Sequence, residues 1–188
     1  LAALKLTLGV AEKKASAGSS DSSLISKAVG MTDETIAEMR AVLNSLNPPK
    51  LSEGLVNALN ALADAMNQTG KVRCEVEVKS ELPAFDETFS LNIYRLAQEA
   101  VSNAVKHGKA SDIEIILSLG HADPEGKEIF RMDVTDNGSG FDVKAATRGM
   151  GLSNMTDRAQ MLGGRLEICS SDGEGTRITA YVPSDYQV

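Results

Sequence analysis

Cysteine is scarce. The 188 residues contain only Cys74 and Cys169, both in runs that alternate like strands, Val72–Val78 and Leu166–Cys169. The pair has no metal-ligand spacing and fits packed or half-exposed thiols in a reduced, cytosolic interior. No stretch approaches the roughly 18 apolar residues that cross a bilayer. Positive charge is in deficit: 19 Lys and Arg stand against 26 Asp and Glu, for a net charge of −7. That balance leaves no broad electrostatic footprint for nucleic acid or an anionic membrane, although a local basic spot for phosphates stays open. The chain opens at Leu1, without a methionine and in mid-pattern. It therefore reads as a cytoplasmic piece of a longer protein, with any membrane segment upstream.

What is present is ordinary for a folded chain: 42% hydrophobic and 24% charged residues, with length for two small domains. Leu1, Leu4, Leu8 and Ala11 form one stripe of an amphipathic helix ending near Lys14. After a small-residue loop, Ile25, Val29, Thr32, Ile36, Met39, Leu43 and Leu46 recur in heptad spacing, weakened locally by Gly30. Two such helices make a hairpin too thin to bury both stripes. Pairing two hairpins into a four-helix bundle buries them, so a homodimer is expected; a hairpin lying on the second domain is the alternative. Asn47-Pro-Pro-Lys50 ends the helix and makes a stiff joint. The expected domains are a helical hairpin over 1–49 and a second domain over 50–188.

That second domain mixes elements. Helices are expected over Leu51–Asn67, Asp86–His107 and Leu152–Leu162, and strands over Val72–Val78, Ile113–Leu119, Ile129–Thr135, Leu166–Cys169 and Arg177–Val182. The last two strands can form a hairpin. Without strict βαβ alternation, the pattern indicates an α+β sandwich with helices over one face of a mixed sheet.

Several segments carry polar residues in telling places. On the long helix, Tyr94, Ala97, Val101 and Ala104 form a packing stripe, while Glu99, Asn103 and Lys106 fall near the opposite side with His107 flanking. A carboxylate and a carboxamide one turn apart can hold a hydrated Mg²⁺ or polarise water, and a Lys-His pair suits phosphate oxygens. A plain solvated face explains the same stripe. Phe130, Met132 and Val134 share a strand face, and Asp136 continues it. A carboxylate at the end of an apolar face needs a dedicated donor, such as an exocyclic amine. The competing explanation is turn chemistry in Asp136-Asn-Gly-Ser-Gly140. Thr176 continues the face of Ile178, Ala180 and Val182 in the same way, behind the tight Gly173-Glu-Gly175. Gly149-Met-Gly151 places backbone N–H groups at a helix start, which favours phosphate. Asn154 breaks the Gly-x-Gly-x-x-Gly fingerprint, and no Walker Gly-Lys-Ser/Thr occurs, so any nucleotide site is of another kind.

Tyr94-Arg-Leu-Ala-Gln-Glu-Ala-Val-Ser-Asn-Ala-Val-Lys-His-Gly108 resembles the N box of the GHKL ATPase superfamily (gyrase, Hsp90, histidine kinase, MutL). Asp136–Gly140 resembles its G1 box, Arg148–Leu152 its G2 box and Gly173–Thr176 the last box. Gln98-Glu99-Ala100, Lys106-His107 and the run Gly149–Gly164 resemble two-component sensor histidine kinases of the nitrate-sensor and DesK-like subfamily. Leu1–Leu6 and Leu46–Leu51 resemble that subfamily's bundle helix and interdomain joint. The resemblance implies ATP and Mg²⁺, a response-regulator partner, and roles for individual residues. Asn103 would ligate Mg²⁺ with Glu99 as a polarising carboxylate. Lys106 and His107 would lie near the phosphates. Asp136 would accept from adenine N6 with Thr176 in support, and Gly138 and Gly140 would admit the base. Phe141–Arg148 would form a lid, with Gly149 and Gly151 as its hinge and phosphate contacts and Met150 and Leu152 also at the nucleotide.

One departure stands out. The family's acceptor histidine has no counterpart, because the chain holds only His107, in the N box, and His121, in a loop. By the family's spacing the acceptor would lie about two turns before Leu1. The expected function is the ATP-binding catalytic part of a sensor histidine kinase, unable to phosphorylate itself at the usual site. The alternatives are a nucleotide-modulated interaction or phosphatase module and a serine kinase of the anti-sigma type.

Overall fold

The computed structural model describes residues 50–120, 128–143 and 150–184. The chain divides into two units, Leu1–Pro48 and Pro49–Val188, and every described residue belongs to the second. The two amino-terminal helices with their dimeric bundle, His121, and the lid positions 144–149, which include Arg148 and Gly149, lie outside the described residues.

After the proline pair, Gly54 sits at φ 105° and ψ 162°, backbone that side chains with a Cβ rarely adopt. It divides the helix expected from Leu51 into a 3-10 turn, Leu51–Glu53, and helix α1, Leu55–Asn67. Leu55, Ala58, Leu59, Leu62 and Ala63 form the buried stripe of α1, spaced by threes and fours. Helix α2, Glu87–Asn103, starts where the Asp86 carboxylate accepts from Phe89 N at 2.6 Å, an N-cap for otherwise orphaned donors. The helix does not continue to His107 as expected. Ala104–Gly108 widens into a π turn that closes on Lys109 at φ 51°, and Ala110 N donates to Ala104 O at 3.0 Å. Such turns alter the facing of the residues they contain. Helix α3 runs Met150–Met161.

Five strands are found among the described residues: β1 Arg73–Val78, β2 Asp112–Gly120, β3 Ile129–Asp136, β4 Arg165–Ser170 and β5 Thr176–Pro183. Their order is β1-β2-β3-β5-β4. Only β1 and β2 pair parallel, and the other three pairs are antiparallel. The sheet is mixed and β4–β5 is a hairpin, as the alternation of the sequence implies.

The core lies between the helices and one sheet face. Phe130, Met132 and Val134 of β3 are buried there, in register with Val182, Ala180 and Ile178 of β5. Phe89 and Ile93 of α2 and Met155 and Ala159 of α3 are also buried. Phe85 stacks on Phe89 with ring centroids 4.2 Å apart, and both meet Phe130 edge-on at 5.1 and 5.3 Å. Phe89→Ala is expected to lower the unfolding free energy by about 3–5 kcal/mol, read as a fall in the urea midpoint at constant slope. The opposite sheet face is polar. There Thr179 Oγ1 donates to Asp133 Oδ1 at 2.8 Å, Arg131 pairs with Asp133, and Arg165 lies 4.2 Å from the Tyr181 ring centroid. Cys169 is exposed, while Cys74 is buried and its thiol is pushed up to about 11 by burial, which makes it inert as a nucleophile.

Candidate functional site

Opposed strand ends form one wall of the site. Asp136, the last residue of β3, faces Thr176, the first of β5, directly across the ladder. Each continues an apolar strand face into a cleft of about 620 Å³, within the range of small-ligand pockets. The wall opposite comes from α2 and its π turn: Glu99, Asn103 and His107, with Ala100 and Ala104 between them. Leu152 of α3 and Ile178 of β5 add apolar surface, and Gly140, Phe141 and Gly151 complete the rim.

Asp136 is held rather than free. Its Oδ1 accepts from Gly138 N at 2.7 Å, and the Thr176 backbone N–H beside it also favours the ionised carboxylate. Burial raises its pKa above the ordinary carboxylate value, and these two donors pull it part of the way back. The sign follows for the ligand-free protein. Burial penalises the ionised form, so the stabilising contribution of Asp136 is present at acid pH and lost as pH rises through its raised folded value. A bound donor reverses the preference, because it needs the ionised acceptor. Affinity for a donor ligand in this cleft is expected to weaken as pH is lowered from neutral toward the raised folded value, while Asp136→Asn raises the thermal midpoint of the ligand-free protein at neutral pH. Calorimetric titration and thermal melting across that range check the two signs.

Close approach explains two glycines. At Gly140, φ is +61° and an added Cβ would lie 1.9 Å from Ser171 O. At Gly151, an added Cβ would lie 2.3 Å from Glu99 Oε1 and 3.5 Å from Asn103 Nδ2. The start of α3 thus presses on the polar stripe of α2, and a side chain at Gly151 would require the Glu99 carboxylate to move. At Gly138, an added Cβ would lie 2.6 Å from Gly108 O, beside the cleft.

The structure therefore gathers Glu99, Asn103, His107, Asp136, Gly140, Phe141, Gly151, Leu152 and Thr176 around one cavity. Lys106 is exposed and does not line it. The π turn accounts for the difference: it rotates the chain less per residue, so His107 rather than Lys106 follows Glu99 and Asn103 along the cleft. Met150 opens α3, but its side chain lies outside the described residues. Sequence reasoning missed three features. Ala104 and Ile178 read only as packing residues, and Ala100 only as part of the Gln98-Glu99-Ala100 resemblance. Asn137 read as a turn residue, yet its Oδ1 accepts from Ser111 N and Asp112 N, each at 3.0 Å, and clamps the loop behind the cleft. Ser170 lay one residue past the expected strand Leu166–Cys169 and carried no signal, yet its Oγ meets Phe141 N, Gly175 O and Thr176 Oγ1.

A mixed sheet with helices on one face leaves a cleft between α2 and the ends of β3 and β5. The family of histidine kinase-, DNA gyrase B- and HSP90-like ATPases matches residues 88–186, just over half of the chain, and the chain belongs to that family. Among curated relatives, it is 34% identical over 157 residues to the sensor histidine kinase LiaS of Bacillus subtilis (strain 168), covering 81% of this chain and 41% of that protein. It is 32% identical over 195 residues to the sensor histidine kinase MctS of Rhizobium johnstonii, covering 97% of this chain and 40% of that protein. The chain spans about two fifths of the length of these two relatives. Among solved structures, the histidine kinase domain of the Erythrobacter litoralis EL346 blue-light activated histidine kinase aligns with TM-score 0.54 at 22% identity, over 69% of this chain and 60% of that one. The ATP binding domain of PrrB from Mycobacterium tuberculosis aligns with TM-score 0.51 at 22% identity, over 69% and 90%. Both show likeness of fold.

Proposed function

We propose that the chain is the ATP-binding catalytic part of a sensor histidine kinase of the nitrate-sensor and DesK-like type. The γ-phosphoryl of ATP would pass to a histidine and then to a response-regulator aspartate. The observation that carries this reading is the pairing of Asp136 with Thr176 at one wall of a cleft whose other wall holds Glu99, Asn103 and His107.

The residues fit the ligand. Asp136 offers a carboxylate to the exocyclic amine of adenine, between the apolar surfaces of Ala104, Leu152 and Ile178. Gly140 packs against Ser171 O and Gly175 O so closely that no side chain fits there, and it lines the cleft with backbone alone. Glu99 and Asn103, both within reach of the Gly151 backbone, form a carboxylate–carboxamide pair suited to hold Mg²⁺, which when bound neutralises phosphate charge. His107 faces the same cleft, as a donor for phosphate oxygens. Positioning and charge neutralisation then carry phosphoryl transfer. Arg148, Gly149 and Met150 belong in this reading to the lid and its hinge. Residues 1–49 are assigned as the dimerising hairpin, and neither His107 nor His121 as the acceptor. Among the described residues, no helix is long and apolar enough to cross a membrane.

Labelling decides the reaction class. Incubation with γ-labelled ATP, Mg²⁺ and a purified acceptor hairpin of a sensor histidine kinase is expected to give an acid-labile, base-stable phosphohistidine. Acid-stable label on serine would favour a serine kinase instead. ATP binding without any transfer would favour a nucleotide-modulated interaction module.

A further inference from the structure

Ser170, near the cleft but not lining it, is a junction of three segments. Its Oγ lies 2.8 Å from Gly175 O, 3.0 Å from Phe141 N and 3.1 Å from Thr176 Oγ1. A serine hydroxyl has one proton and two lone pairs. A carbonyl oxygen can only accept, so the proton of Ser170 goes to Gly175 O. An N–H can only donate, so Phe141 N takes one lone pair. The third contact is then determined by elimination: the Thr176 hydroxyl donates to the remaining lone pair of Ser170.

We propose that Ser170 is a specificity-determining positioning residue, which by claiming the Thr176 proton leaves the Thr176 hydroxyl with only lone pairs to offer the cleft. The inference rests on the assignment of the cleft to adenine. Thr176 stands directly opposite Asp136 in the β3–β5 ladder, and the ionised Asp136 is itself acceptor-only. Two adjacent acceptors without a donor favour a base edge, or a bridging water, that gives protons. The 6-amino group of adenine meets that demand. A 6-oxo purine presents an acceptor at that position, opposed to both groups, and keeps a donor only at N1–H, one atom along the edge; sites built on polar complementarity reject such mismatches strongly. Thr176 alone could not make this choice, because a free hydroxyl rotates to donate or accept as the ligand requires. Ser170 removes that freedom without touching the ligand.

The test compares ATP with inosine triphosphate, which differs at the 6-position, by calorimetric titration of the full 188-residue chain. In Ser170→Ala the Thr176 hydroxyl regains its rotation. The ATP-to-inosine-triphosphate affinity ratio is expected to fall about fivefold, the weight of one directed hydrogen bond. Ser170→Thr, which keeps the hydroxyl, is expected to retain the wild-type ratio. Equal losses for both nucleotides in Ser170→Ala would mean a purely structural serine and overturn the proposal, as would an unchanged ratio. If Ser170→Ala does not fold, Ser170→Cys keeps the volume with a weak donor and is expected to show the same fall, with the same overturning outcomes. A wild type that binds both nucleotides equally contradicts the adenine assignment itself and takes this inference with it. Discrimination by the wild type that survives in Ser170→Ala contradicts this inference alone.

Discussion

Asp136→Ala is expected to weaken ATP binding by more than about 100-fold while leaving the fold intact. Asp136 is the acidic side chain that β3 delivers to the cleft, opposite Thr176. A charged acceptor in a half-buried site contributes about 1.5–3 kcal/mol to a hydrogen bond, and its removal also leaves the base amine without a partner in the bound state. The upper part of that range corresponds to about 100-fold in affinity. Stability moves the other way or little, because the ionised carboxylate bears a burial cost in the ligand-free protein. Calorimetry and thermal melting on the same sample separate the two effects. A variant that binds ATP like the wild type would remove Asp136 from the adenine contact.

Asn103→Asp is expected to lower Mg²⁺-dependent phosphotransfer by about 100-fold, the scale of losing one aligned group around a transferring phosphoryl. The substitution keeps the side-chain volume but exchanges a neutral carboxamide for a second carboxylate beside Glu99. Gly151 brings the two within one small space, with Glu99 Oε1 and Asn103 Nδ2 both close to its hypothetical Cβ. An added negative charge there repels Glu99 and the triphosphate together. Nucleotide affinity without Mg²⁺ should change less than transfer, since the proposed adenine contacts are on the other wall. Titration without metal, beside a transfer assay across Mg²⁺ concentrations, distinguishes a metal-site defect from a general loss of binding. Equal losses in both would place Asn103 elsewhere in the mechanism.

Much of this site was legible as periodicity. Asp136 and Thr176 each continue a period-two apolar face, and two strands that share an inner face bring their ends together once they pair. Their direct opposition in the ladder is a consequence of register. Glu99 and Asn103 were legible for the helical equivalent of that reason, one turn apart on a face opposite the packing stripe. The π turn was not, because no residue in Ala104–Gly108 signals a widened turn and helical extrapolation carried the stripe to Lys106. Gly54 also escaped, since a glycine is tolerated within a helical pattern and only its φ of 105° reveals the break. Ser170 and Asn137 lie beyond pattern reading altogether. Their importance comes from partners five to twenty-nine residues away, which only the folded chain brings into hydrogen-bonding range.

Amide spectra of the ¹⁵N-labelled chain, titrated with a non-hydrolysable ATP analogue and Mg²⁺, locate the nucleotide residue by residue. Saturable shifts are expected to concentrate at Glu99, Asn103, Asp136, Gly138, Gly140 and Thr176. Shifts that cluster instead on the polar sheet face around Arg131, Arg165 and Tyr181, or no saturable shifts at all, would contradict an adenine-nucleotide site in the α2–β3–β5 cleft.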